Sequence, residues 1–315
     1  MTDESGRIRA ALDAAYASAA KLTSGKNADY IPFLAGVPSG LFGLAVVTVD
    51  GAVYEQGDTR YEFAIESISK VSTLAAAIEE VGPEQLRAKV GADPTGMPFN
   101  SVIALELHDD RPLSPLVNAG AMATVSLLQA PDAEARWAKI LAMQSRLAGR
   151  PIRISDEVNR SEQTTNFHNR AIAWLLYSGG NMFCDPMEAC DVYTRQCSTL
   201  VTAVDLAVAG ATLANGGTNP LTHEAVLKSD NVPPILAEMM MEGLYDSAGD
   251  WAFEVGVPAK SGVGGGLVAV VPGKLAIAGF APPLDAVGNS VKAQAGVAAI
   301  AKALGCNLFR ADATA

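Results

Sequence analysis

The chain has 315 residues, 49% hydrophobic and 18% charged, which is enough for a sizeable core in one large domain or two small ones and excludes general disorder. Its 23 Lys and Arg against 34 Asp and Glu leave a net charge of −11 at pH 7. With no basic stripe to neutralise phosphates, neither nucleic acid nor a membrane surface is expected as a partner. The first ten residues mix Asp3, Glu4, Arg7 and Arg9 and lack the apolar core of a signal peptide, and no run of 18 apolar residues follows, so a cytoplasmic protein is expected.

In chain order, an amphipathic helix is expected over 8–22. Residues 42–49 are rich in β-branched side chains, and with Asp50-Gly51 and residues 52–55 they give a hairpin signal. From Ser67 the chain turns into a good helix former, with Leu74, Ala75, Ala76, Ala77 and Ile78 before Gly82-Pro83 stops it. Between Pro83 and Met241, Ala- and Leu-rich stretches at 120–128, 133–147, 169–176 and 203–213 predict a middle that is helical throughout. A second strand pair is expected at 266–271 and 275–281 about Pro272-Gly273-Lys274, then a closing helix over 290–304. Strands from both ends with helices between predict an α+β fold, an antiparallel sheet built from the two chain termini and flanked by helices. Residues 1–82 together with 242–315 would form the sheet-containing part, and 83–241 a mainly helical insertion. A cleft between them is where polar residues from distant positions would meet.

Cys184, Cys190, Cys197 and Cys306 form no CxxC pair, and His108, His168 and His223 are far apart, so neither a metal site nor a disulfide framework is expected. No phosphate-binding glycine loop occurs, and no cofactor is expected. The chemistry must come from ordinary side chains. Ser67-Ile68-Ser69-Lys70 matches S-x-x-K, in which one helical turn brings a hydroxyl and an amine together so that a neutral lysine can take the proton. The helix start would favour a developing oxyanion. Ser18 and Lys21 match the same short pattern, with nothing around them that suggests chemistry. Lys260-Ser261-Gly262 lies just before Gly264-Gly265-Gly266 and the second strand pair. It matches the K-[ST]-G signature that follows S-x-x-K in serine β-lactamases and penicillin-binding enzymes. Ser229-Asp230-Asn231 spells the remaining signature of that group but lies late, before Val232-Pro233-Pro234, and reads as a polar loop.

Eight ordered boxes then resemble one family, the serine-dependent glutaminases. They are residues 63–71, Pro98-Phe99-Asn100-Ser101, Val117-Asn118-Ala119-Gly120-Ala121, Ser161-Glu162, residues 169–173, Tyr193 before Gln196-Cys197-Ser198, Leu244-Tyr245-Asp246 and residues 258–266. Ala28-Asp29-Tyr30-Ile31-Pro32 fits as well. The similarity spans about Gly25 to Pro272. It implies a serine β-lactamase-like fold and hydrolysis of L-glutamine to L-glutamate and ammonia through a γ-glutamyl ester on Ser67, with Lys70 as general base. It also implies that Tyr30, Tyr193 and Tyr245 line the site, with proton transfer and positioning divided among them. The backbone of Val263 would join that of Ser67 in holding the amide oxygen. Asn118, Glu162, Asn169 and Tyr193 would bind the amino acid end, Glu162 taking the ammonium, with Lys260, Ser261 and Gly262 supporting. A homodimer or homotetramer is implied too.

The residues alone leave alternatives open. Asn118 and Asn169 could cap helices, the tyrosines could be core residues with satisfied hydroxyls, and Glu162 could pair with Arg160 or Arg170 at the surface. A penicillin-recognising hydrolase, or an inactive amino-acid-binding protein on the same fold, would share much of this pattern. Four positions depart from the family: Glu66 where Gln is usual, Ser72 where Phe is common, Ser114 where Asn is common and Glu242 where Cys is frequent. A carboxylate beside the dyad would favour the charged form of Lys70, so Glu66 is expected to point away from the site.

Overall fold

The computed structural model describes residues 2–311, with side chains from Glu4 onward. Five antiparallel strands form the main sheet: β1 (Gly43–Thr48), β2 (Val53–Gly57), β6 (Ala259–Ser261), β7 (Gly266–Val271) and β8 (Leu275–Phe280). Their order is β2-β1-β8-β7-β6, so β1 from the first part of the chain pairs with β8 from the last, with Val46 opposite Ile277. The three central strands are buried along their whole length because both faces are covered. Leu44, Val46, Leu267, Ala269 and Ile277 pack with the two terminal helices, Thr2–Ala19 and Val291–Leu304. The alternate residues Ala45, Val47, Val268, Val270, Ala276 and Ala278 face the second core, which includes helix Ala203–Ala214. Two-sided burial explains why these strands read as continuous apolar runs, each enclosed Val, Leu or Ile contributing roughly 1.5–3 kcal/mol.

The expected helices occur at Asn118–Leu127, Ala133–Ala148, Phe167–Ser178 and Ala203–Ala214. The stretch between Pro83 and Met241 is not helical throughout, however. Arg153–Ile154 (β4) and Thr199–Val201 (β5) are strands, and with Phe63–Ala64 (β3) they make a small antiparallel sheet of order β3-β5-β4. This sheet fixes the approach to Ser67: Ile65 N–H donates to Thr199 O at 2.9 Å, and Phe63 stacks on Phe280 of β8 with ring centroids 4.0 Å apart. Helix Ser69–Val81 then runs away beneath, ending at Gly82-Pro83. Ser229–Asn231 is a short 3-10 turn before helix Val232–Glu242. It sits by Glu79, near the far end of helix Ser69–Val81, which accepts from Lys228 N–H at 3.0 Å.

Candidate active site

Ser67 sits in a 3-10 turn, Glu66–Ile68, that feeds directly into helix Ser69–Val81. Ser67 and Lys70 are therefore one turn apart, and Lys70 Nζ donates to Ser67 Oγ at 2.6 Å. The lysine is fully enclosed, 1% exposed, and its second bond goes to Asn118 Oδ1 at 3.0 Å. Burial, opposed by Cys197, Glu66 and Glu162, brings its pKa down to about 8. About a tenth of it is thus neutral at pH 7, and in that form the 2.6 Å contact can run the other way, from hydroxyl to amine.

Asn118 opens helix Asn118–Leu127, but the cap position is Val117 and the Asn118 side chain makes no cap. Its carboxamide instead accepts from Lys70 and from Tyr193 OH at 3.0 Å, while its Nδ2 donates to Asn169 Oδ1 at 3.0 Å. Asn169 lies inside helix Phe167–Ser178, which also has no side-chain cap. Tyr193 is buried on helix Pro186–Cys197 with its ring 5.5 Å from Lys70 Nζ, and burial pushes its phenol well up, keeping it neutral. Glu162, on helix Asp156–Gln163, accepts from Ser198 Oγ at 3.1 Å, and none of the ion pairs among the described residues includes it. Burial drives its carboxyl up to about 8, against Ser198 and Lys70.

Ser67, Asn118, Glu162, Asn169 and Tyr193, together with Tyr30, Ile31, Phe99, Asn100, Thr165, Asn166, His168, Cys197 and Val263, line a cleft of about 260 Å³, with Lys70 enclosed beneath Ser67. Tyr30 stands at its mouth, 56% exposed. Tyr245 does not line the open cleft. It is buried behind the nucleophile, packed on Phe99 at 4.7 Å between centroids, and its hydroxyl reaches Ser261 O at 3.4 Å. Burial raises its pKa and the adjoining Ser67 side chain opposes the rise.

The glycine-rich loop completes the floor. A Cβ on Gly264 would lie 2.1 Å from Ala64 O, and one on Gly262 would lie 2.7 Å from Ile65 O and 3.3 Å from Ser67 N. Only glycine permits this approach, which carries the Val263 backbone to the nucleophile. Lys260 and Ser261 lie in β6, away from the cleft lining. Lys260 Nζ donates to Gly243 O (3.0 Å) and Ser261 O (2.8 Å) and lies 4.4 Å from the Tyr245 ring centroid. Ser261 Oγ donates to Asn289 Oδ1 at 2.5 Å. Ser18 and Lys21 are exposed at the end of the first helix.

Glu66 contradicts the expectation that it points away. Its φ of +53°, unusual for a residue with a side chain, turns it into the cleft, where it is buried and lines the wall. Burial, then Glu162, raise its pKa well above the usual carboxylate range, against Lys70. Ligand atoms of Glu66, Glu162 and Cys197 lie within 4.8 Å of one another, and burial pushes the Cys197 thiol up, so that it stays protonated. The other departures lie elsewhere: Ser114 Oγ donates to Glu238 Oε2 at 2.9 Å, and Glu242 Oε2 accepts from Thr95 N–H at 3.1 Å.

A serine and a lysine meeting at the floor of a cleft beside a terminal-strand sheet define the class of serine hydrolases with a β-lactamase-like fold. The family model for glutaminase matches residues 25–309. A glutaminase of Brucella canis is 65% identical over 98% of both chains, and glutaminase 1 of Shigella flexneri is 64% identical over 98% of this chain and 99% of its own. A solved structure of a probable glutaminase superposes with a TM-score of 0.97 at 64% identity, covering 98% of this chain and 99% of the other. A probable glutaminase from Bacillus subtilis, complexed with 6-diazo-5-oxo-L-norleucine, does so at 0.85 and 30% identity, covering 96% of each. The chain belongs to the glutaminase family.

Proposed function

We propose that the cleft hydrolyses L-glutamine to L-glutamate and ammonia through an acyl-enzyme on Ser67. The observation that carries this reading is the 2.6 Å contact between Ser67 Oγ and a buried Lys70 whose pKa is brought down to about 8. Neutral Lys70 takes the Ser67 proton as the hydroxyl attacks the γ-carboxamide carbon, forming the C–O bond. The backbone N–H groups of Ser67 and Val263 hold the oxyanion. The C–N bond then breaks, and the proton passes to the departing nitrogen, with Tyr245 the phenol beside the nucleophile. Water, deprotonated by the same lysine, cleaves the ester.

At the other end of the substrate, Glu162 takes the ammonium, and Asn118, Asn169 and Tyr193 bind the carboxylate, with Tyr30 closing the mouth. Lys260, Ser261 and Gly262 support this floor from behind. The sheet-containing and helical parts act as one catalytic unit, since the lining comes from both sides of residues 82 and 242. A homodimer or homotetramer is supported by exposed Phe167, Trp174 and Tyr177 on one helix. A cytoplasmic location is supported by four free cysteines. Among the described residues no helix is long and apolar enough to cross a membrane.

Ammonia release from L-glutamine, measured for the unmodified protein beside Ser67→Ala and Ser18→Ala, tests the reading. Turnover by the parent and Ser18→Ala, with a loss of several orders of magnitude in Ser67→Ala, supports it. A parent that is silent on glutamine yet opens a chromogenic β-lactam, or a Ser67→Ala protein that still turns over, refutes it.

A further inference from the structure

Glu66 is only 3% exposed, and its Oε1 has no hydrogen-bond partner among the described residues. Such an oxygen, aimed into a binding cleft, calls for a donor from a ligand. Its left-handed backbone carries the side chain over the glycine loop, where its Cγ would lie 3.3 Å from a Cβ on Gly264. It ends within 4.8 Å of the Glu162 carboxylate.

Two carboxylates this close in a desolvated site do not both stay charged without a cation between them. Of the groups that face them, Lys70 carries charge that opposes the rise of both carboxyls, but among the described residues it forms an ion pair with neither. Lys70, from the nucleophile helix, is committed to Ser67 and Asn118. Tyr193 and Cys197, from helix Pro186–Cys197, and Tyr245, behind Ser67, are neutral, and Tyr30 at the mouth brings a phenol. His168, across the cleft, has its Nε2 on Asn100 O at 2.6 Å.

We propose that Glu66 and Glu162 form a proton-sharing carboxylate pair that together seats the α-ammonium of the substrate, keeping one proton until the ammonium enters between them and then losing it to solvent. The inference rests on the glutaminase reading of the cleft. In the step itself, one carboxylic O–H bond breaks and its proton goes to water. The substrate keeps its three ammonium hydrogens, and no other bond changes. Burial, which raises both carboxyls, acts in the same direction. A glutamine at position 66 would behave differently, because its amide could donate to Glu162 and hold that carboxylate ionised without any shared proton.

Infrared difference spectra of Ser67→Ala protein mixed with L-glutamine read the proton directly. The expected result is loss of a protonated-carboxyl stretching band on binding, and no such loss in Ser67→Ala/Glu66→Gln. Absence of the loss in Ser67→Ala, where Glu66 is intact, overturns the proposal, as does an equal loss in both proteins. With the nucleophile present, KM for L-glutamine should fall about tenfold from pH 6 to 7 in the parent, by linkage to one released proton, and less than twofold in Glu66→Gln. Equal dependence in the two overturns the pair. Ammonia release by the unmodified protein tests the parent reading independently of either readout, so the two can fail separately.

Discussion

Lys70 and Lys260 begin from the same description: each is a lysine close in sequence to a serine, almost wholly enclosed, with burial lowering its pKa. Their partners separate them. Lys70 meets two side chains, a hydroxyl that can give up a proton and a carboxamide that fixes the amine in place. Lys260 meets two backbone carbonyls and the face of Tyr245, groups that accept hydrogen bonds and have no proton to surrender. A neutral amine still has two N–H groups for those two carbonyls, so Lys260 is satisfied without being a base. Burial alone therefore does not make a catalytic lysine; what lies within 3 Å of the amine decides it.

Paired substitutions separate the two lysines most widely. Lys70→Met should lower kcat roughly 10²–10⁴-fold, the range of a lost general base. Its unfolding free energy should move by only about 1 kcal/mol, because Asn118 Oδ1 keeps its bond from Tyr193 OH and only the Ser67 contact is lost outright. Lys260→Met should do the reverse, costing about 1–3 kcal/mol as two buried carbonyls lose their donor, with kcat down by no more than about tenfold. Steady-state kinetics and denaturant titration of both variants measure the contrast, and similar kcat losses in the two would erase it.

The pH profile sharpens the same point. Only neutral Lys70 accepts a proton, and in the free site burial brings its pKa down to about 8, so kcat/KM should rise at least tenfold per pH unit below that value. A flat profile between pH 6 and 8 would mean the base is another group. The smallest effect concerns the asparagine bonded to Ser261: Asn289→Ala, which removes the acceptor for Ser261 Oγ and the donor to Leu244 O, should cost about 1–2 kcal/mol and leave KM within about twofold, as read by thermal unfolding and initial rates.

Much of this was legible in the chain. The main strands stood out because their burial is two-sided, and the ordered boxes brought Asn118, Glu162, Asn169 and Tyr193 into one reading before any geometry. The small sheet was not legible, since Phe63–Ala64 and Arg153–Ile154 are two residues each and too short to show a period. The aim of Glu66 was not legible either. A positive φ at a residue with a side chain is imposed by tertiary contacts, here the strand β3 before it and the glycine loop pressed against it, and leaves no mark on residue identity. Ser198, which holds Glu162, and Cys197 in the cleft wall lay inside a matched box without a role assigned to either.

The acyl-enzyme itself is the most direct test of the account. Acid quenching of the protein during turnover of L-glutamine, followed by digestion and mass spectrometry, should find a γ-glutamyl group on the peptide that contains Ser67, and none in Ser67→Ala. Rapid glutamine hydrolysis by a Ser67→Ala protein, or a glutamyl group attached to a different residue, would contradict it.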